Sequence, residues 1–177
     1  MQPEGYALLT LHRPSNVDNE AVFLRIFQAV ADVARRMPVI FPVHPRTRNR
    51  LAQFGIEDRL AALPNLRLIE PQGYLDFLKL TAEAKVILTD SGGVQEESTI
   101  LNVPCITLRE NTERPVTITQ GTNRLVGTET RKILAAVNDV LDQAKSQGRS
   151  PDLWDGRAAE RIVQILVDQM SYQKRAA

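Results

Sequence analysis

The stretch Leu88 to Ser98, LTDSGGVQEES, follows an apolar run with an acid, a hydroxyl and two glycines, and then adds two glutamates. Paired glycines where a strand passes into a helix let a ligand approach the main chain closely. They also aim free N–H groups and the positive end of the helix dipole at that ligand. The guest that suits such a turn is a phosphate or pyrophosphate, held by Ser91, Gly92 and Gly93. The plainer alternative is a tight turn in which Ser91 caps the helix and Glu96 or Glu97 completes a capping arrangement. A carboxylate one turn into that helix, at Glu96 or Glu97, can accept from both vicinal hydroxyls of a ribose. Taken alone, a favourable charge near a helix start is the simpler account of it.

Further along, LRENTERP offers Arg109 and Arg114, whose planar forks suit a diphosphate. Beside glutamates, such arginines more often form surface ion pairs. The two histidines, His12 and His44, both end apolar runs, and two imidazoles at one sheet edge favour a phosphate or substrate contact. Neither has a Cys, Asp or Glu at ligand spacing, so no metal is expected. The DSGG tetrapeptide also surrounds the nucleophile of trypsin-like proteases, but that reading requires an all-β chain.

The elements that must position these residues alternate in type. Apolar runs at YALLTLH (6–12), VIFPVH (39–44), LRLIEP (66–71), KVILT (85–89), PCITLR (104–109) and NRLVGT (123–128) read as six short strands. Between them lie helical patterns. One runs from Ser15 to Met37 with Phe23, Ile26, Phe27, Val30 and Val33 on one stripe. A basic helix is stopped by Gly55, and further helices cover YLDFLKLTAEA and about 94–101. Thr128 is the expected cap of a helix over 129–148. A last amphipathic helix covers 156–170 and is expected to fold onto its own sheet; the alternative leaves Ile162, Ile165, Leu166 and Met170 partly uncovered for a second copy or a partner. Alternation of this kind implies βαβ units and a Rossmann-like parallel sheet with helices on both faces. In such sheets ligands bind outside the carboxyl ends of the strands. Those ends are His12-Arg13, His44-Pro45-Arg46, Glu70-Pro71-Gln72, Asp90 to Gly93, and Arg109 to Arg114. All are polar, which predicts one shared site.

The 177 residues are expected to form one domain, 1–177, with a sizeable core. Twenty-two Lys and Arg against 21 Asp and Glu leave a charge of +1, which argues against a nucleic-acid or anionic-lipid surface. No apolar run approaches the ~20 residues of a membrane span. The N-terminal residues lack the pattern of a secretory signal, and Cys105 is the single cysteine, so the cytoplasm is the expected compartment.

Together, LTLHRPSNVD, PVHPRTR, EPQGYLDFL, LTDSGGVQEES and RENTERPVTITQGTNRLVG resemble the non-hydrolysing UDP-N-acetylglucosamine 2-epimerases, in order and at the right spacing from about Tyr6 to Thr128. The resemblance implies the C-terminal half of a two-domain glycosyltransferase-B-like fold, the half that binds UDP, with the N-terminal half absent. It implies His12 at the sugar–diphosphate end of the site as the catalytic residue. Gln72 and Phe77 would hold the uracil, Ser91, Gly92 and Gly93 the diphosphate, Glu97 the ribose hydroxyls, and Arg114 would complete the pocket. No cofactor is implied, and the full-length enzyme is expected to be a homodimer. The implied chemistry interconverts UDP-GlcNAc and UDP-ManNAc by eliminating UDP to a 2-acetamidoglucal and returning it to the opposite face. The carboxylates that move the C2 proton lie, in the family, on the other half.

The alternatives are a stand-alone nucleotide-sugar module, one half of a split epimerase, or an epimerase for a diacetamido uronic acid UDP-sugar. Two departures from the family pattern stand out. The family's HR-x-E-N reads His12-Arg13-Pro14-Ser15-Asn16, with serine for glutamate, where bacterial members can bind an activating second UDP-GlcNAc near Arg13 and His44. The start at Met1 falls where the connection between the halves is expected, and is read as a truncated frame or an expression artefact.

Overall fold

The structure, a computed structural model, describes residues 5–142 and 150–176. Six parallel strands, β1 (Ala7–Thr10), β2 (Val39–Pro42), β3 (Leu66–Ile69), β4 (Val86–Thr89), β5 (Cys105–Thr107) and β6 (Asn123–Leu125), form one sheet in the order β3-β2-β1-β4-β5-β6. The order reverses between β1 and β4, whose residues pair from Ala7↔Val86 to Thr10↔Thr89. The carboxyl ends of these two strands therefore diverge into helices on opposite faces and leave a crevice between them.

Strand alternation divides the core. Ala7, Leu9, Phe41, Leu88 and Ile106 face one layer, which holds α1 (Pro14–Val17), α2 (Glu20–Ala34), α3 (Pro45–Gln53), α4 (Glu57–Ala61) and α8 (Thr130–Asp142). Tyr6, Leu8, Ile40, Ile87 and Cys105 face the other, which holds α5 (Tyr74–Ala82) and α6 (Gly92–Ile100). Both faces are covered, so the strands read as continuous apolar runs rather than alternating ones. In the larger layer Phe23 packs edge-on against Phe27, with ring centroids 4.6 Å apart, and against Phe54 at 5.5 Å.

The remaining helices are α7 (Pro115–Thr119) and α9 (Ala158–Ala176). The single helix expected over 15–37 is two. Pro14 opens α1, and the Asn19 side chain then accepts from the Val22 N–H and starts α2 afresh. Short α4 and α7 went unanticipated, because five residues carry too little periodicity to read. Gly55 ends α3 in the left-handed region at φ +63°, as its position implied. Helix α8 begins at Thr130, two residues beyond the expected cap at Thr128, and the expected extension over 143–148 lies outside the described residues.

The largest correction concerns α9. The sequence favoured, narrowly, a last helix folded onto its own sheet. Instead Ile162, Val163, Ile165, Leu166, Val167 and Met170 are each 51–62% exposed. Among the described residues no helix is long and apolar enough to cross a membrane.

Candidate active site

Helix α6 begins at Gly92, two residues earlier than its periodicity suggests, so both glycines lie in its first turn. Neither has a positive φ, which removes the tight turn as the reason for glycine here. Ser91 is the N-cap, and its Oγ accepts from the Val94 N–H at 3.5 Å. No acidic residue stands in the first turn, so the expected capping role of Glu96 or Glu97 is not fulfilled. Gln95 instead donates from Nε2 to the Ser91 carbonyl at 3.1 Å. By position, the N–H groups of Gly92 and Gly93 have no acceptor within the helix. A Cβ on Gly92 would have as its nearest neighbour Arg13 Nη2 at 3.9 Å, and one on Gly93 would have Ser91 Oγ at 4.0 Å. The first turn is therefore uncrowded on the side where a side chain would start.

Across the switch point the loop after β1 is pinned to the loop after β4 by Asp90, which is wholly buried. Its carboxylate accepts from the Arg13 N–H at 2.8 Å, the His12 N–H at 3.0 Å, and Asn16 Nδ2 at 3.3 Å. His12 Nδ1 lies 2.9 Å from Asp90 Oδ1. Sequence reasoning gave neither Asp90 nor Asn16 a role. The available signal was an acid directly after the buried run of β4, where burial without partners would be prohibitive.

Four of the five strand-end segments reach one cavity of about 380 Å³. His12, His44, Gln72, Phe77 and Ser91 all line it. The rings of His12 and His44 stand 5.6 Å apart. His44 caps α3, accepting at Nδ1 from the Arg46 N–H. Gln72 is exposed, and its amide is turned back to the Glu70 carbonyl. The fifth expected segment, Arg109 to Arg114, does not line this cavity. It lies around the start of α6, held by a buried network that the sequence did not disclose. Gln95 Oε1 accepts from Thr112 Oγ1 at 2.6 Å and from Asn123 Nδ2 at 3.1 Å, and Asn123 also accepts from Thr107.

The two arginines of that loop differ. Arg109 is a structural fork, giving both terminal nitrogens to the Glu113 carboxylate at 2.9 Å, so the ion-pair reading is the right one for it. The same contact holds the Glu113 carboxyl down to about 2. Arg114 Nε lies 2.6 Å from Glu96 Oε1, but the N–H direction misses the oxygen and the contact is purely ionic. Glu97 stands four residues beyond Gly93, hence on the same helix face and ~6 Å further along. Partial burial raises its pKa, and the neighbouring Glu96 charge raises it further. Arg13 reaches toward Gly92, and its buried Nε has no hydrogen-bond partner.

A doubly wound parallel sheet with an open helix start at its switch point defines a Rossmann-like protein with an anion-receptive site. The sequence profile of the UDP-N-acetylglucosamine 2-epimerases matches residues 1–167, and the chain belongs to that family. It is 47% identical over 165 residues to the UDP-N-acetylglucosamine 2-epimerase of Methanocaldococcus jannaschii, covering 92% of this chain and 44% of the relative. It is 34% identical over 164 residues to the UDP-2,3-diacetamido-2,3-dideoxy-D-glucuronate 2-epimerase of Pseudomonas aeruginosa, covering 92% and 44%. Among solved structures it superposes on the M. jannaschii UDP-GlcNAc 2-epimerase in complex with UDP-GlcNAc and UDP. The TM-score is 0.83 and the identity 46%, over 92% of this chain and 45% of that one. The chain thus spans under half the length of these relatives, and its architecture is that of one half of a glycosyltransferase-B-like fold.

Proposed function

We propose that this chain is the UDP-binding half of a UDP-N-acetylglucosamine 2-epimerase. The observation that carries the reading is the first turn of α6, where two glycines leave their Cβ positions unfilled at the switch point, beside Arg13. A diphosphate fits there because its oxygens can accept from main-chain N–H groups that side chains would otherwise screen. Glu97, one turn along the face of Gly93, is the acceptor for the ribose hydroxyls. Gln72 and Phe77 hold the uracil, and His12 stands at the sugar end. Arg114 completes the pocket once it leaves Glu96.

In the elimination the C1–O bond to UDP breaks and the diphosphate gains charge. Donors fixed at that position stabilise the transition state more than the ground state, which is the part of the catalysis this half supplies. The carboxylates that move the C2 proton belong to the other half, which the uncovered apolar face of α9 fits as a surface to be buried. Ser15 removes a carboxylate from the segment near Arg13 and His44, so activation by a second UDP-GlcNAc is not expected. The 34% identity to the P. aeruginosa enzyme supports a second reading for the sugar, a diacetamido uronic acid.

Calorimetry with UDP and an epimerisation assay on the 177-residue chain test this together. Binding without turnover is expected. Turnover by the chain alone overturns the half-enzyme reading, and absence of UDP binding overturns the nucleotide site.

A further inference from the structure

We propose that Asp90 is a positioning residue that fixes His12 in one tautomer, with the proton on Nδ1, so that Nε2 is the atom offered to the site. The two oxygens of Asp90 are not equivalent. Oδ2 accepts from the backbone N–H groups of His12 and Arg13 and from Asn16 Nδ2, at 3.0, 2.8 and 3.3 Å. Asn16 is itself held by a second bond, from Nδ2 to the Leu108 carbonyl at 2.8 Å. Oδ1 shares the His12 N–H through a longer bond of 3.2 Å and lies 2.9 Å from His12 Nδ1, in close contact but without a directed N–H···O bond. A carboxylate is an acceptor only, and two unshared pairs 2.9 Å apart would repel, so a neutral imidazole at this separation carries its proton on Nδ1. The second ring nitrogen, on the far side of the ring from Asp90, is then left with a free lone pair.

His44, whose ring stands 5.6 Å away, is fixed the other way. Its Nδ1 accepts from the Arg46 N–H, so the neutral ring carries its proton on Nε2. One strand end thus presents an acceptor and its neighbour a donor. A leaving diphosphate oxygen and a sugar hydroxyl need opposite partners of this kind. That consequence rests on the epimerase reading, whereas the tautomers rest on the geometry alone.

The chain contains only these two histidines, so long-range ¹H–¹⁵N correlation spectra of the imidazoles assign both rings at a pH where they are neutral. The expected wild-type spectrum shows His12 protonated at Nδ1 and His44 at Nε2. In Asp90→Asn the amide has one acceptor, which the fixed backbone donors at the Oδ2 position claim. Its NH₂ group then faces His12 Nδ1, and the His12 proton moves to Nε2 while His44 is unchanged. A wild-type His12 protonated at Nε2 overturns the proposal, as does a folded Asp90→Asn variant that keeps the wild-type tautomer. If that variant does not fold, the wild-type spectrum decides by itself. Titrating UDP into the same sample separates the two readings. UDP without effect on a correctly assigned His12 counts against the nucleotide site alone, whereas UDP binding to a chain with the wrong His12 tautomer counts against Asp90 alone.

Discussion

At Gly92 and Gly93 the chain gives up helix stability with no steric need of its own. An added methyl would meet no protein atom closer than 3.9 Å, and both residues already have helical backbone. Alanine at either position is therefore expected to raise stability by ~0.5–1 kcal/mol, a few degrees in melting temperature. The same change is expected to weaken UDP binding more than tenfold, ~1.4 kcal/mol, because the methyl occupies the approach to the amides. Thermal unfolding and calorimetry on one preparation check both signs, and a loss of stability would contradict the open-space argument. At Glu96 the carboxylate holds Arg114 and adds negative charge beside the anion site. Glu96→Gln is expected to tighten UDP binding several-fold, and weaker binding would show that the pair organises the site rather than restrains it. Residue types at strand ends were legible from the sequence, because glycine pairs, histidines and arginines are rare where only packing is needed. What each side chain does was less legible. Arg109 and Arg114 look alike in LRENTERP, and only the fold gives one a bidentate partner and leaves the other a poorly directed one.

Among the elements, the loop before β6 is a tight joint closed by backbone. A Cβ on Gly121 would lie 2.6 Å from the Thr117 carbonyl oxygen and 2.6 Å from Thr99 Cγ2. Backbone on one side and a buried side chain on the other leave no room, so Gly121→Ala is expected to cost ~1–3 kcal/mol by denaturant unfolding. It should also loosen the network through Gln95 that holds the start of α6. On the face that α5 and α6 cover, the buried Tyr6 donates its hydroxyl to the Leu80 carbonyl at 2.8 Å. Burial, and then the Glu83 charge, push its pKa up from 10 to about 12. The unfolded chain therefore releases this proton first. The contribution of the neutral phenol is complete below pH 10 and is lost as the pH rises towards 12. Tyr6→Phe is expected to flatten the fall in stability over that range, measured by urea unfolding at stepped pH. The six strands and long helices were legible because apolar period and β-branched content act over several residues. The break at Asn19 depends on a single cap and α7 on a single proline, weak signals beside a strong apolar stripe, and α4 carries neither.

At the scale of the molecule, the described residues form a sheet covered on both faces, with the apolar side chains of α9 left exposed. The exposed apolar side chains of α9 contribute little to the core, so a chain ending before Ala158 is expected to melt within ~2 °C of the 177-residue protein. A large drop would mean that the helix supports the sheet after all. The amphipathic pattern of α9 was plain in the sequence, but the pattern shows only that a face seeks burial, not which surface supplies it. The convergence of distant segments was predictable for the same reason that the crevice exists: parallel strands bring all their carboxyl ends to one edge. The most direct test of the central claim is an amide NMR titration of the chain with UDP. The account predicts that the Gly92 and Gly93 N–H resonances shift most, with Ser91 and Glu97 following. Saturation with UDP while those two glycine amides stay in place would contradict it.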